Sequence, residues 1–109
     1  METETTGQGK TTAVVAYITI IGTIIAYFMN LEPKDRLASF HIRQAFGLHI
    51  LLYLIGALLG MFNEFYIIWA FYIFYFVLWG YGLIMAIKGE EREVPILGPL
   101  FQKWFSTIT

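Results

Sequence analysis

The sequence predicts an all-α membrane protein with three transmembrane helices and a C-terminal amphipathic interfacial helix. Three observations carry that fold class. Apolar runs fill about residues 11–29, 42–62 and 66–87, each close to the ~20 residues with which a helix crosses a hydrocarbon core roughly 30 Å thick. Charged residues make up only 14% of the chain, against about 25% in an average soluble domain. Near the C-terminus, from Ile96 to Ile108, apolar residues recur at spacings of one and three with polar residues opposite. The 109 residues leave room for one membrane domain, 11–109, preceded by a polar tail, 1–10, that is expected to be disordered.

The tail is not expected to be a cleavable signal sequence. Glu2 and Glu4 precede Lys10 where a basic start is expected, and the apolar run that follows is too long. With no cysteines in the chain, disulfides, thiol chemistry and cysteine-held clusters are excluded. With three spans, the tail and the second loop share one side and carry only Lys10. The first loop and the C-terminal segment share the other, with Lys34, Arg36, Arg43, Lys88, Arg92 and Lys103. Basic segments stay cytoplasmic, so the N-terminus is expected outside and the C-terminus inside a bacterial inner membrane. An even number of spans would be expected to spoil this sorting of charge.

Along the first span, Thr12, Ala16, Thr19, Thr23, Ala26 and Asn30 form a stripe of small and hydroxyl residues. Helices in lipid associate over such surfaces, which leaves Ile18, Ile21, Ile25 and Phe28 facing lipid. Asn30-Leu31-Glu32-Pro33 ends this helix, and a second one begins between Pro33 and Asp35 and runs to about Phe62. At about 42 Å it is longer than the hydrocarbon core, so its first turns, with Arg36, His41, Arg43 and Gln44, protrude into the headgroups. Deeper, Gly56-Ala57-Leu58-Leu59-Gly60 is a GxxxG pattern. It serves either packing within the chain or association of two copies.

The third span is dense in aromatic residues, from Phe65 to Tyr81. They form either the bulk of a small bundle or a groove for lipid or a partner helix. Gly89, Glu90 and the glutamates that follow make a charged turn that ends at Pro95. The segment of about 96–108 then lies in the cytoplasmic headgroup layer, anchored by Trp104 and Lys103.

His41 and His49 are the histidines, and they stand about 12 Å apart on one helix face. One metal ion cannot bind both, and neither other span supplies a histidine for a haem, so no cofactor and no metal are expected. His49 lies deep in the second span. It is either a neutral imidazole bonded to a Thr or Tyr of a neighbouring helix or a functional group. Arg43 either pairs with Glu90, locking the second helix to the end of the third, or snorkels to lipid phosphates.

Ser39-Phe40-His41-Ile42-Arg43-Gln44-Ala45, then Ala86-Ile87-Lys88-Gly89-Glu90 and Val94-Pro95, resemble in that order a family of small bacterial membrane proteins of unknown function. That family is related to the Tic import component of the chloroplast inner envelope. The resemblance runs from about Lys10 to Phe105. It implies matches at His41, Arg43, Gln44, Ala45, Gly89, Glu90 and Pro95, and it brings no catalytic role. The chloroplast relatives have four spans where this chain is expected to have three.

The expected function is therefore non-catalytic. The chain is read as an accessory subunit of a larger inner-membrane assembly, with protein translocation or insertion as the leading context. An oligomeric channel or transporter is the alternative, and a membrane enzyme or cofactor carrier ranks third. The expected partners are the bilayer, other membrane subunits and further copies of the chain, and not nucleic acid.

Overall fold

The computed structural model describes residues 7–108. Its helices are α1 (Gly7–Ile18), α2 (Ile20–Met29), α3 (Arg36–Gly60), α4 (Phe65–Lys88) and α5 (Gly98–Trp104). Among the described residues, α3 and α4 are the two helices long and apolar enough to cross a membrane. They form an antiparallel hairpin that turns at Met61–Glu64, where Asn63 takes a left-handed backbone conformation (φ 56°) that suits asparagine.

The first expected span is not one helix. It breaks at Thr19, whose backbone is fully extended (φ −153°, ψ 175°) and whose side chain accepts a hydrogen bond from the Gly22 amide as the N-cap of α2. At about 18 Å and 15 Å, neither α1 nor α2 can cross a hydrocarbon core alone. The two arms instead fold back on each other. Thr23 Oγ1 donates to the Ala16 carbonyl oxygen at 2.7 Å, although seven residues of straight helix would separate them by about 10.5 Å. A methyl group on Gly22 would collide with the Val15 carbonyl oxygen, so glycine is required where the arms cross.

The open ends of both arms meet at Asp35. The Asp35 amide donates to Asn30 Oδ1 at 2.8 Å, and a methyl group on Gly9 would press on the Asp35 carboxylate. Residues 7–10, expected to belong to a disordered tail, are thus the first turn of α1, held by this packing. Residues 1–6 of that tail lie outside the described residues.

The hairpin of α1 and α2 enters beside α3 and α4 from one end and turns about halfway along them. Tyr17 of α1 fits between His41 and Gln44 of α3 and Gly82 of α4, while α2 packs on α1 and α3. The start of α1, the α2–α3 loop and everything after α4 therefore gather at one end, called here the base. The first expected span is thus two short helices among the described residues, and three continuous spans are not seen. The stripe on the first segment is largely as expected: Thr12, Ala16, Thr23, Ala26 and Asn30 are buried, whereas Ile18, Ile21, Ile25 and Phe28 are exposed. Thr19, at the tip, is exposed.

The base contains the core. Apart from Tyr75, the buried side chains lie from Thr12 to His49 and from Leu78 to Phe101. Beyond Leu52 and Tyr75 the distal half of the α3–α4 hairpin has no third helix against it. Its side chains, Leu54, Leu58, Phe65, Tyr66, Ile67 and Trp69 among them, are exposed.

Candidate functional site

The polar groups of the base form a connected network. Asp35 is the N-cap of α3 and accepts from the Ala38 amide at 3.0 Å. Asn30, fully buried, ties the end of α2 to this cap, donating to Ser39 Oγ at 2.8 Å while accepting from the Asp35 amide. One turn further along α3, His41 Nε2 lies 2.8 Å from the Glu90 carbonyl oxygen and Nδ1 lies 2.6 Å from Tyr17 Oη. A carbonyl can only accept, so Nε2 carries the proton and Nδ1 accepts from the tyrosine hydroxyl. Gln44 completes the relay, donating to Tyr17 Oη at 2.8 Å and accepting from the Val94 amide at 2.8 Å.

The tail that follows α4 is fastened by backbone atoms. Gly89 caps α4 in the left-handed conformation (φ 76°), with the Glu90 amide bonded to the Met85 carbonyl oxygen. The chain then passes His41 and Gln44, which bind Glu90 O and Val94 N. Arg43 holds the last segment, donating to Gln102 Oε1 at 2.7 Å and to the Ile108 carbonyl oxygen at 3.1 Å, while Gln102 Nε2 donates to Phe40 O at 2.9 Å. Phe101 fills the space over Gly47, and Phe105 meets Phe46 edge to face at 4.9 Å.

Two further expectations change here. Arg43 does not pair with Glu90, because the Glu90 side chain bonds Arg92 at 2.8 Å while Arg43 serves the tail. Donation to the Glu90 carboxylate raises the pKa of Arg92 above the usual guanidinium value. The expected interfacial segment, 96–108, is helical only over Gly98–Trp104 and is docked on α3 by Phe101 and Phe105. Trp104 points outward, 63% exposed, and Pro95 lies exposed in the turn before α5.

His49 has a different duty from either one expected. Where α1 breaks, its last carbonyls lose their helical partners, and in a membrane each must be satisfied by protein. His49 Nε2 donates to the Ala16 carbonyl oxygen at 3.2 Å, beside the Thr23 hydroxyl, and Trp79 Nε1 donates to the Tyr17 carbonyl oxygen at 2.6 Å. His49 is thus a cap for a helix end in mid-bundle.

Of the expected residues, the structure brings together His41, Arg43, Gln44, Gly89 and the backbone of Glu90. His49 stands deeper, at the tip of the hairpin. Gly56 and Gly60 lie in the distal half, where a methyl group on Gly56 would sit 3.5 Å from Tyr72 Oη and one on Gly60 would meet nothing within 4 Å. Sequence reasoning missed Tyr17, Trp79, Asn30, Ser39 and Gln102 as bonding partners. Only Asn30 carried a signal, as a buried-stripe amide five residues before a capping aspartate.

No curated protein and no solved structure matches the chain. The comparison with family models overturns the resemblance to the import-component-like family, and the translocation context inferred from it falls as well. Residues 8–101 match the model of the magnetosome magnetite crystal formation protein family, MamF/MmsF, and the chain belongs to that family.

Proposed function

We propose that this chain is a non-catalytic accessory subunit of the magnetosome membrane that takes part in magnetite crystal formation by contact with other membrane proteins. The observation that carries this reading is the contrast within the α3–α4 hairpin. Its proximal half is closed by α1, α2 and α5, and its distal half shows aromatic residues on every side. Monomeric helices surrounded by lipid need no such density of aromatics, whereas partner helices use it for packing. The titratable groups of the base support the same reading, since His41 and His49 both spend their Nε2 protons on backbone carbonyls of the chain itself.

The base faces the cytoplasm and the turn at Met61–Glu64 faces the magnetosome lumen. What supports this is the placement of all seven lysines and arginines at the base, against one charged residue, Glu64, at the far turn. The even number of crossings sorts charge more completely than three spans would. Because the chain lacks cysteine, single cysteines test the topology. Lys10→Cys and Lys103→Cys are expected to react with an impermeant maleimide from the cytoplasmic face, and Asn63→Cys only from the lumenal face. Labelling of positions 10 and 103 from opposite faces would overturn the assignment.

The contact itself is tested with a photo-crosslinking residue placed at Ile73 in the distal half or at Ile25 on the lipid face of α2. Adducts with other magnetosome membrane proteins are expected at 73 and not at 25. Crystals of unchanged size and number from a strain carrying Phe65→Leu and Trp69→Leu, inserted at the normal level, would sink the proposal.

A further inference from the structure

At the tip of the re-entrant hairpin a cavity of about 250 Å³ lies between α1, α3 and α4, lined among others by Thr19, His49, Tyr53, Tyr75, Phe76 and Trp79. Two of these side chains, His49 and Tyr75, are 97% and 93% buried, from exposures of 3% and 7%. The Nε2 proton of His49 is committed to Ala16, which leaves Nδ1 as an acceptor. Neither Nδ1 nor the Tyr75 hydroxyl bonds another group among the described residues, and no buried polar side-chain atom there is sealed off without a partner. Both atoms therefore reach open space, and the space that these residues line is this cavity. Tyr53 adds a second hydroxyl with no partner among the described residues.

The chemistry of the lining restricts the occupant. No charged residue lines the cavity, so a charged ligand would lose its hydration with nothing to replace it. His49 offers an acceptor on α3, and the tyrosines offer donors on α3 and α4. The ligand must therefore carry oxygens that accept at both walls, and one that bears a hydroxyl also satisfies His49. Phe76, Tyr75 and Trp79 present ring faces and edges suited to a flat ring. The volume exceeds the ~150 Å³ that holds a benzene, which leaves room for ring substituents. The outer lining residues Ile18, Tyr53 and Phe76 are exposed about midway along α3 and α4, so access is from the bilayer interior.

We propose that this cavity binds the head group of a lipid-soluble quinone or quinol, with ring oxygens accepting from Tyr75 and Tyr53 and a quinol hydroxyl donating to His49 Nδ1. The proposal is independent of the contact role, because it concerns a face of the hairpin tip and not the distal aromatics.

The test uses the whole protein in nanodiscs, with Trp69→Phe and Trp104→Phe so that Trp79 alone reports. Decylubiquinone is expected to quench Trp79 saturably, and decylubiquinol to compete with it, whereas decylbenzene, which lacks the oxygens, does not. Tyr75→Phe and Tyr53→Phe remove hydroxyls that hold nothing else in the chain, so the fold survives. Each is expected to weaken binding about three- to tenfold, the loss of one hydrogen bond. Quenching that rises linearly without saturation, equal competition by decylbenzene, or affinities unchanged in both tyrosine variants would overturn the site and leave a pocket that holds water or lipid tails.

Discussion

The two halves of the α3–α4 hairpin are built from the same two helices and obey different rules. In the base, irregular backbone is common. A helix breaks at Thr19, loops run at 30–35 and 89–97, and a tail returns along α3. Each irregularity is matched by a buried polar side chain, and His41 and Gln44 are both fully buried while bonded to backbone atoms of other segments. In the distal half the helices are regular and satisfy their own backbones. There the exposed positions are apolar, with Tyr66 at 85% and Met61 at 81% exposure. Polar side chains are spent where backbone geometry fails, and aromatic ones where the helices have no neighbour in the chain.

The comparison breaks most sharply at two glycines. Gly22→Ala puts a methyl group against the Val15 carbonyl oxygen, backbone that cannot swing aside. Overpacking costs about 1–3 kcal/mol, and with backbone as the obstacle the upper end of that range is expected, with the hairpin of α1 and α2 opening. Gly60→Ala meets nothing within 4 Å and should change stability by less than ~0.5 kcal/mol. Thermal unfolding in detergent measures both. A Gly22 variant as stable as the parent would mean that the arms do not close as described.

Next in size is Gln44→Leu. It removes the acceptor of the Val94 amide and the donor to Tyr17 together. An unsatisfied buried amide costs about 1–3 kcal/mol, so a loss of about 2 kcal/mol is expected, with the tail after Gly89 becoming open to proteolysis. Retention of protease resistance would show that Phe101 and Arg43 hold the tail without the relay. His49→Leu and Thr23→Val each remove one donor to the Ala16 carbonyl oxygen. About 1 kcal/mol apiece is expected, and because they share an acceptor the double variant should lose more than the sum.

These sites also mark what could be read in the sequence. The two long spans, the start of α3 near Asp35, and the lipid-facing isoleucines of the first segment were all legible, because length, capping chemistry and periodicity are local properties. His41 and Gln44 were legible as polar residues at the start of the second span, and Gly89 as the start of the charged turn after the third. The break at Thr19 was not. Thr19, Gly22 and Thr23 read equally well as the small face of a continuous helix, and what decides between the two lies far along the chain. His49 and Trp79 supply the donors that make a broken helix tolerable inside the bundle. The charge count depends on the same point, since it was sorted on the assumption that every apolar run crosses. Tyr17 was hidden because a tyrosine in an apolar run looks like any other large side chain until its hydroxyl finds His41 and Gln44.

The smallest expected effect on stability lies in the distal half, and it separates folding from function. Trp69 and Phe65 are 55% and 65% exposed. In a bilayer an exposed aromatic exchanges lipid contact for lipid contact when it becomes leucine, because lipid tails are as apolar as the side chain. Trp69→Leu and Phe65→Leu should therefore shift unfolding by less than ~0.5 kcal/mol each, well below the cost of any change in the polar base. If these residues serve partner helices, the same variants should lose crosslinking from position 73 while unfolding with the parent. A large loss of stability in the isolated chain would instead make the distal aromatics part of its own fold. The contrast between the halves would then be one of exposure and not of purpose.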